Sequence, residues 1–173
     1  MMKVQNILLV DGYNMIGAWK ELRPLRDEMF EDARDRLVEL MAEYKAVKGW
    51  RVIVVFDAHL VPGTEQLYMT HDVEVIYTRK NETADERIEK LSTELKGRKV
   101  QIYVATSDMT EQNVVFGHGA LRISARELEI ELEIIQTKIT QKVKSTQLEK
   151  PSSRITMSEE VFLELEKMRR GLK

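Results

Sequence analysis

The sequence predicts an α/β protein, with a mostly parallel sheet of about five strands and helices on both faces. Short apolar runs alternate with amphipathic helical patterns along the chain, strand and helix in turn. The first run, Ile7 to Val10, is apolar at consecutive positions, as in a strand covered on both faces. Three runs then stop abruptly at acids, Asp11, Asp57 and Asp108. In open parallel sheets, ligand chemistry gathers outside the carboxyl ends of the strands.

The first strand leads into D-G-Y-N, Asp11 to Asn14, which taken alone is an ordinary turn signal. Met15 to Asp27 reads as a loop with Trp19 and Pro24, Trp19 closing over the sheet edge. Glu28 to Lys48 is an amphipathic helix with Phe30, Ala33, Leu37, Leu40, Met41, Tyr44 and Val47 on one stripe and Gly49 as its stop. Trp50 to Phe56 is the second strand. Ala58 to Asp72 reads as a long connection turning at Pro62-Gly63. His59 and His71 lie in or beside it, without the paired neighbours of a metal ligand. Val73 to Thr78 alternates as an exposed edge strand would.

Thr83 followed by Glu86 is a capping box, opening a helix whose stripe is Ala84, Ile88, Leu91 and Leu95 and which closes at Gly97. Asp85 falls in its first turn, where an acid also suits the helix dipole. Lys99 to Ser107 is the fourth strand and runs into Asp108, which with Glu111 has the spacing of a helix cap. His118, between two glycines, belongs to a turn. Leu121 to Ser124 is the fifth strand, and Ser124 with Glu127 opens a helix from Ala125 to about Lys144. Lys144 to Arg154, polar and carrying Pro151, reads as a linker. Thr156 and Glu159 cap a last helix with Val161, Leu165 and Met168 as its stripe. The expected organisation is one domain over 1–145, with 146–173 as linker and C-terminal helical tail.

Composition narrows the chemistry. Lys and Arg number 27 against 29 Asp and Glu, a formal charge of −2, so a polyanion partner would need a local basic patch. The absence of cysteine excludes disulfides, thiolate metal sites and cysteine nucleophiles. The opening residues lack a signal-peptide pattern and no apolar run approaches the ~18 residues of a membrane span, so a cytoplasmic protein without a membrane partner is expected.

Asp11, Asp57 and Asp108 share one rim in this architecture, and Asp85 can join them from its helix. Two carboxylates about 4 Å apart repel by roughly 4 kcal/mol at an effective dielectric near 20, so a cluster of them calls for a cation. No Lys or Arg lies within the strand-end motifs, and oxygen donors without sulfur or paired His select Mg²⁺ or Mn²⁺. Such an ion, with coordination positions left for water and phosphate oxygens, is equipment for phosphoryl chemistry. Other acid-bearing α/β folds fit less well. Tyr13 occupies the second acid's place of a D-x-D phosphatase, a receiver domain's acidic pair and lysine are missing, and neither a Walker loop nor G-x-G-x-x-G occurs.

Taken together, V-D-G-Y-N-M-I-G, V-V-F-D-A-H followed by V-P-G-T-E-Q, V-I-Y-T-R-K-N-E-T-A-D-E-R-I-E and V-A-T-S-D resemble the YacP group of NYN domains, relatives of PIN-domain nucleases. The resemblance spans about Ile7 to Ser145. It implies a PIN-like α/β/α sandwich and a Mg²⁺- or Mn²⁺-dependent endoribonuclease that cuts messenger RNA in the ribosomal A site, with no small-molecule cofactor. Residue by residue, it implies metal and catalytic roles for Asp11, Asp85 and Asp108, a catalytic role for Asn14, and metal ligation by Asp57. PIN relatives often carry one more acid near the position of Gln112, where this chain has an amide beside Glu111.

The implied partners are messenger RNA and the ribosome. Arg79, Lys80, Arg122 and Arg126 are expected to contact phosphates, positioning RNA without reading bases. Lys138, Lys142 and Lys144, or Arg169, Arg170 and Lys173, could meet ribosomal RNA, although the helix lysines suit a solvated face. The rival reading is a catalytically silent RNA- or ribosome-binding adaptor. Acids at all four motif positions favour the enzyme.

Overall fold

The computed structural model describes residues 3–58, 66–70, 72–107, 119–169 and 171. In chain order it contains β1 (Gln5–Asp11), α1 (Gly12–Ala18), α2 (Leu22–Glu28), α3 (Phe30–Lys48), β2 (Arg51–Phe56), β3 (Gln66–Thr70), β4 (Val73–Tyr77), α4 (Ala84–Glu94), β5 (Val100–Ala105), β6 (Leu121–Ile123) and α5 (Ala125–Arg169). The sheet order is β3-β4-β2-β1-β5-β6. All five expected strands are present and mutually parallel, and β3 pairs antiparallel to β4.

The pleat divides the core between two faces. Ile7 and Leu9 of β1, Ile53 and Val55 of β2, and Ile102 and Val104 of β5 pack with Ala84 and Ile88 of α4. The alternate residues Leu8, Val10, Val52, Val54 and Phe56 are equally buried on the other side, where α1 and α3 pack. Consecutive apolar residues in β1 and β2 therefore report a sheet covered twice. α3 ends as expected at Gly49, whose left-handed φ of 74° disfavours a side chain.

Four local expectations change. Met15 to Asp27 is helical: Asp11 caps α1, so D-G-Y-N starts a helix instead of turning a loop. Met15, Ile16, Trp19 and Leu22 recur at helical spacing and are buried, with Trp19 Nε1 donating to the carbonyl of Ala125 at 2.8 Å. Pro24 is tolerated because it sits in the first turn of α2, where its missing N–H is not needed. The Ala58 to Asp72 connection contains β3, which covers β4, so β4 is not an edge. Asp72, at a φ of 67°, takes up the left-handed geometry before β4.

The remaining two changes concern the C-terminus. The segment Lys144 to Arg154 lies within α5, as does Thr156, so neither linker nor second helix start interrupts it. Polar residues with helix propensity continue the helix, and one proline removes only one of its hydrogen bonds. The chain divides into two compact units, Met1–Glu133 and Ile134–Lys173. The first holds the sheet, α1 to α4 and the start of α5; the second is the rest of α5. Among the described residues, no helix is long and apolar enough to cross a membrane.

α1 sits so close to β2 that a Cβ on Gly12 would collide with the ring of Phe56. That ring cannot swing aside, being wholly buried between Tyr13 at 5.2 Å and Tyr77 at 5.5 Å. Gly12→Ala is expected to lower stability by about 1–3 kcal/mol, the usual cost of overpacking. Urea denaturation against wild type checks this, and an unchanged midpoint would refute the close approach.

Candidate active site

The strand that ends in Asp11 delivers its carboxylate to the junction of β1 and α1. Asp11 is only 3% exposed, and its extended backbone lets the side chain cap the helix. The backbone N–H of Asn14 donates to Oδ1 at 3.4 Å, and Asn14 Nδ2 donates to Oδ2 at 2.9 Å. The other end of the Asn14 amide faces β5: its Oδ1 accepts from the Ser107 N–H at 3.2 Å and from the Ser107 hydroxyl. One side chain thereby joins the exits of two neighbouring strands, with the Asp11 carboxylate held against it. Asp108, the next residue after Ser107, lies outside the described residues.

Register decides which way Asp11 faces. It pairs with Val55, and directly paired residues share a face. Val55 packs with α4, so Asp11 projects toward the side of the sheet where α4 begins. Asp57, half-buried, follows Val55 by two residues at the exit of β2.

Asp85, also half-buried, lies in the first turn of α4. The start of that helix is pinned by hydrogen bonds the motifs do not advertise. The Thr78 hydroxyl accepts from Ala58 N–H at 3.0 Å and donates to the Glu82 carbonyl at 2.8 Å, tying the exit of β2 to the loop entering α4. Thr83 then caps α4, accepting from the Glu86 N–H at 3.2 Å, as the capping box predicts.

Glu82 is buried among cations. Its carboxylate accepts from Arg87 Nε at 3.0 Å and Nη2 at 2.6 Å and from Lys90 Nζ at 2.9 Å. Burial pushes its pKa up, but the Arg87 and Lys90 hydrogen bonds, helped by the Arg79 N–H, outweigh burial and hold it at about 2. Tyr13, between Phe30 and Phe56, accepts from Arg34 at 3.4 Å. Burial raises its pKa more than Arg34 lowers it, and the Asp57 charge adds to the rise.

The expected site residues fall into groups. Asp11 and Asn14 touch, and Asp57 at the exit of β2 and Asp85 in the first turn of α4 belong to the same end of the sheet. Among the described residues, however, no group of three or more His, Asp or Glu is close enough to hold a metal ion. Arg79 and Lys80 are exposed just beyond β4. Arg122, in β6, is paired with Val104 and so lies on the α4 face, its Nε buried without a partner among the described residues. Arg126 is exposed and pairs with Glu129 at 3.3 Å. Lys138, Lys142 and Lys144 are exposed on α5. His59, His71, Glu111, Gln112, His118, Arg170 and Lys173 lie outside the described residues.

Sequence reasoning missed Ser107, Thr78 and Glu82 as positioning residues. Ser107 had no local signal, whereas Glu82 could have been flagged as an acid beside a cap with Arg87 and Lys90 following. Because the folded pKa of Glu82 lies below its ordinary 4.5, its contribution is present above about pH 4.5 and is lost as pH falls toward 2. Glu82→Gln is therefore expected to flatten the acid limb of stability and to cost about 3 kcal/mol at pH 7, since the largely buried Arg87 loses its carboxylate. Denaturant melts across pH 2–7 check both; parallel acid limbs in wild type and variant would refute the assignment.

Comparison with known proteins places the chain in a family. The YacP-like NYN domain model matches residues 8–170. YacP of Bacillus subtilis (strain 168) is 58% identical over 166 residues, covering 96% of this chain and 98% of that protein. The crystal structure of Rae1 (YacP) from Bacillus subtilis superposes with a TM-score of 0.75 at 58% identity over 95% of both chains. That of a tryptophan-to-leucine mutant of the same Bacillus protein gives 0.74 at 54% identity over 96% of both. On family model, identity and fold together, this chain belongs to the YacP-like NYN domain family, which is consistent with a nuclease-type domain.

Proposed function

We propose that the protein is a divalent-metal-dependent endoribonuclease that cuts messenger RNA in the cytoplasm, at the ribosomal A site during translation. The observation that supports this most is the buried Asp11 carboxylate, fixed by Asn14 at the meeting of two strand exits and turned toward the face where α4 presents Asp85. The donor set is all oxygen, which suits Mg²⁺ or Mn²⁺. On this reading Asp11 is the anchoring ligand and Asp85, Asp57 and Asp108 the further ones, although Asp11, Asp57 and Asp85 do not themselves form a three-acid cluster in this structure. Once bound, such an ion lowers the pKa of a water and offsets charge on the scissile phosphate.

The chain's own residues do the positioning. Asn14 keeps Asp11 in one orientation, so its oxygens need not reorganise when the substrate arrives. Thr78 and the Glu82 network hold the first turn of α4, and with it Asp85. Arg79, Lys80, Arg122 and Arg126 supply cations for RNA phosphates, which sets register on the strand without selecting sequence.

Asp11→Asn and Asp85→Asn test the reading. Asparagine caps a helix as well as aspartate, so the Asp11 variant is expected to keep its circular dichroism, with a melting temperature lowered by the loss of one of the two Asn14 hydrogen bonds. Both variants are expected to lose cleavage of a translated message by at least about 100-fold, on the scale of losing one preorganised charge-stabilising group. Undiminished cleavage by the double variant overturns the nuclease reading. Equal cutting with and without translation keeps the nuclease and removes the ribosome.

A further inference from the structure

At the opposite end of the sheet, where the parallel strands begin, lies an open groove of about 640 Å³. Its charged lining residues are Lys3, Lys45, Lys48 and Arg51 against Glu74 alone. The remaining lining residues are uncharged, so three positive charges stand in excess in one concavity of a chain with net charge −2. We propose that this groove binds the phosphodiester backbone of RNA away from the scissile bond, as a holding site separate from the acidic rim. The proposal rests on the reading of the substrate as RNA.

The groove is built, not a chance scatter of lysines. Arg51 is fixed by a two-point pair with Glu74, at 2.7 and 2.8 Å. Lys45 is anchored by the backbone carbonyl of Asp72, an uncharged acceptor. Lys48 stands 5.9 Å from the ring of Trp50 and 6.0 Å from that of Tyr44, and Trp50 is itself stacked on Tyr103 at 4.5 Å. Aromatic faces attract a cation without neutralising it, so the ammonium is held in place and still available to an anion.

Placement favours a long anion over a small one. β1 runs from Gln5 in this groove to Asp11 at the rim, about 20 Å at ~3.3 Å per residue. The rim mixes its acids with Arg79 and Lys80, whereas the groove carries a net positive charge. An RNA strand can therefore be attracted by the groove without any cation to neutralise carboxylates there. Contacts of this kind are sequence-independent and salt-sensitive.

The test is the triple variant Lys3→Gln, Lys45→Gln and Lys48→Gln, measured by anisotropy of a labelled unstructured RNA across a KCl series, with chelator to prevent cutting. RNA affinity is expected to fall at least about tenfold, and the slope of log K against log salt to shrink by about 2, as three lost phosphate contacts on a single strand require. The matching Lys→Arg triple, which keeps the charge, is expected to bind as wild type, separating charge from folding. Asp85→Asn is expected to bind as wild type while failing to cut, so failure of the groove and failure of the nuclease reading give different results. Wild-type affinity and slope in the Gln triple overturn the groove. So does complete displacement of RNA by millimolar inorganic phosphate, which would make it a small-anion pocket.

Discussion

Asn14 uses both ends of its amide at a single junction, and the candidate site depends on that geometry. Its N–H groups hold the Asp11 carboxylate, and its carbonyl takes up Ser107 at the exit of β5. A buried carboxylate is costly unless hydrogen-bonded or paired. The bridge therefore does two things: it makes burial of Asp11 tolerable and fixes the spacing of the strand ends that frame it. Strand pairing alone would leave the residues after the last ladder bond free to diverge.

A second lock acts across the sheet. Thr78 joins the exit of β2 to the loop that starts α4, and Glu82 draws Arg87 and Lys90 inward to seal the same loop. Both locks lie behind the acids rather than among them.

Legibility in the sequence followed the range of the interactions. Asp11 and Asp57 were readable because a strand buried on both faces is a block of apolar residues with a sharp end. The position of Asp85 at a helix start was readable because a capping box is local, while its role rested on the family resemblance. Ser107 was not, since its partner lies 93 residues away and nothing near it reports Asn14. α1 was hidden because a helix cap and a turn use the same residue types, so D-G-Y-N supports either. β3 was hidden inside a segment whose Pro-Gly pair looked like plain loop, although Leu67 and Met69 alternate with polar neighbours. The basic groove could not be read at all, as Lys3, Lys45 and Arg51 converge only once the sheet has brought three chain segments to one end.

The shared hydroxyl of Thr78 carries a further implication for how the rim responds to charge. Hydrogen-bonded strand exits and helix starts move as one body, so the entropy of arranging these acids is lost during folding, before any ligand arrives. A ligand that fits then binds without that ordering cost, and one that needs a different spacing must break hydrogen bonds to obtain it. If the proposed ion binds there, rigidity behind the site, more than the number of acids in front, sets how sharply it discriminates by ionic radius.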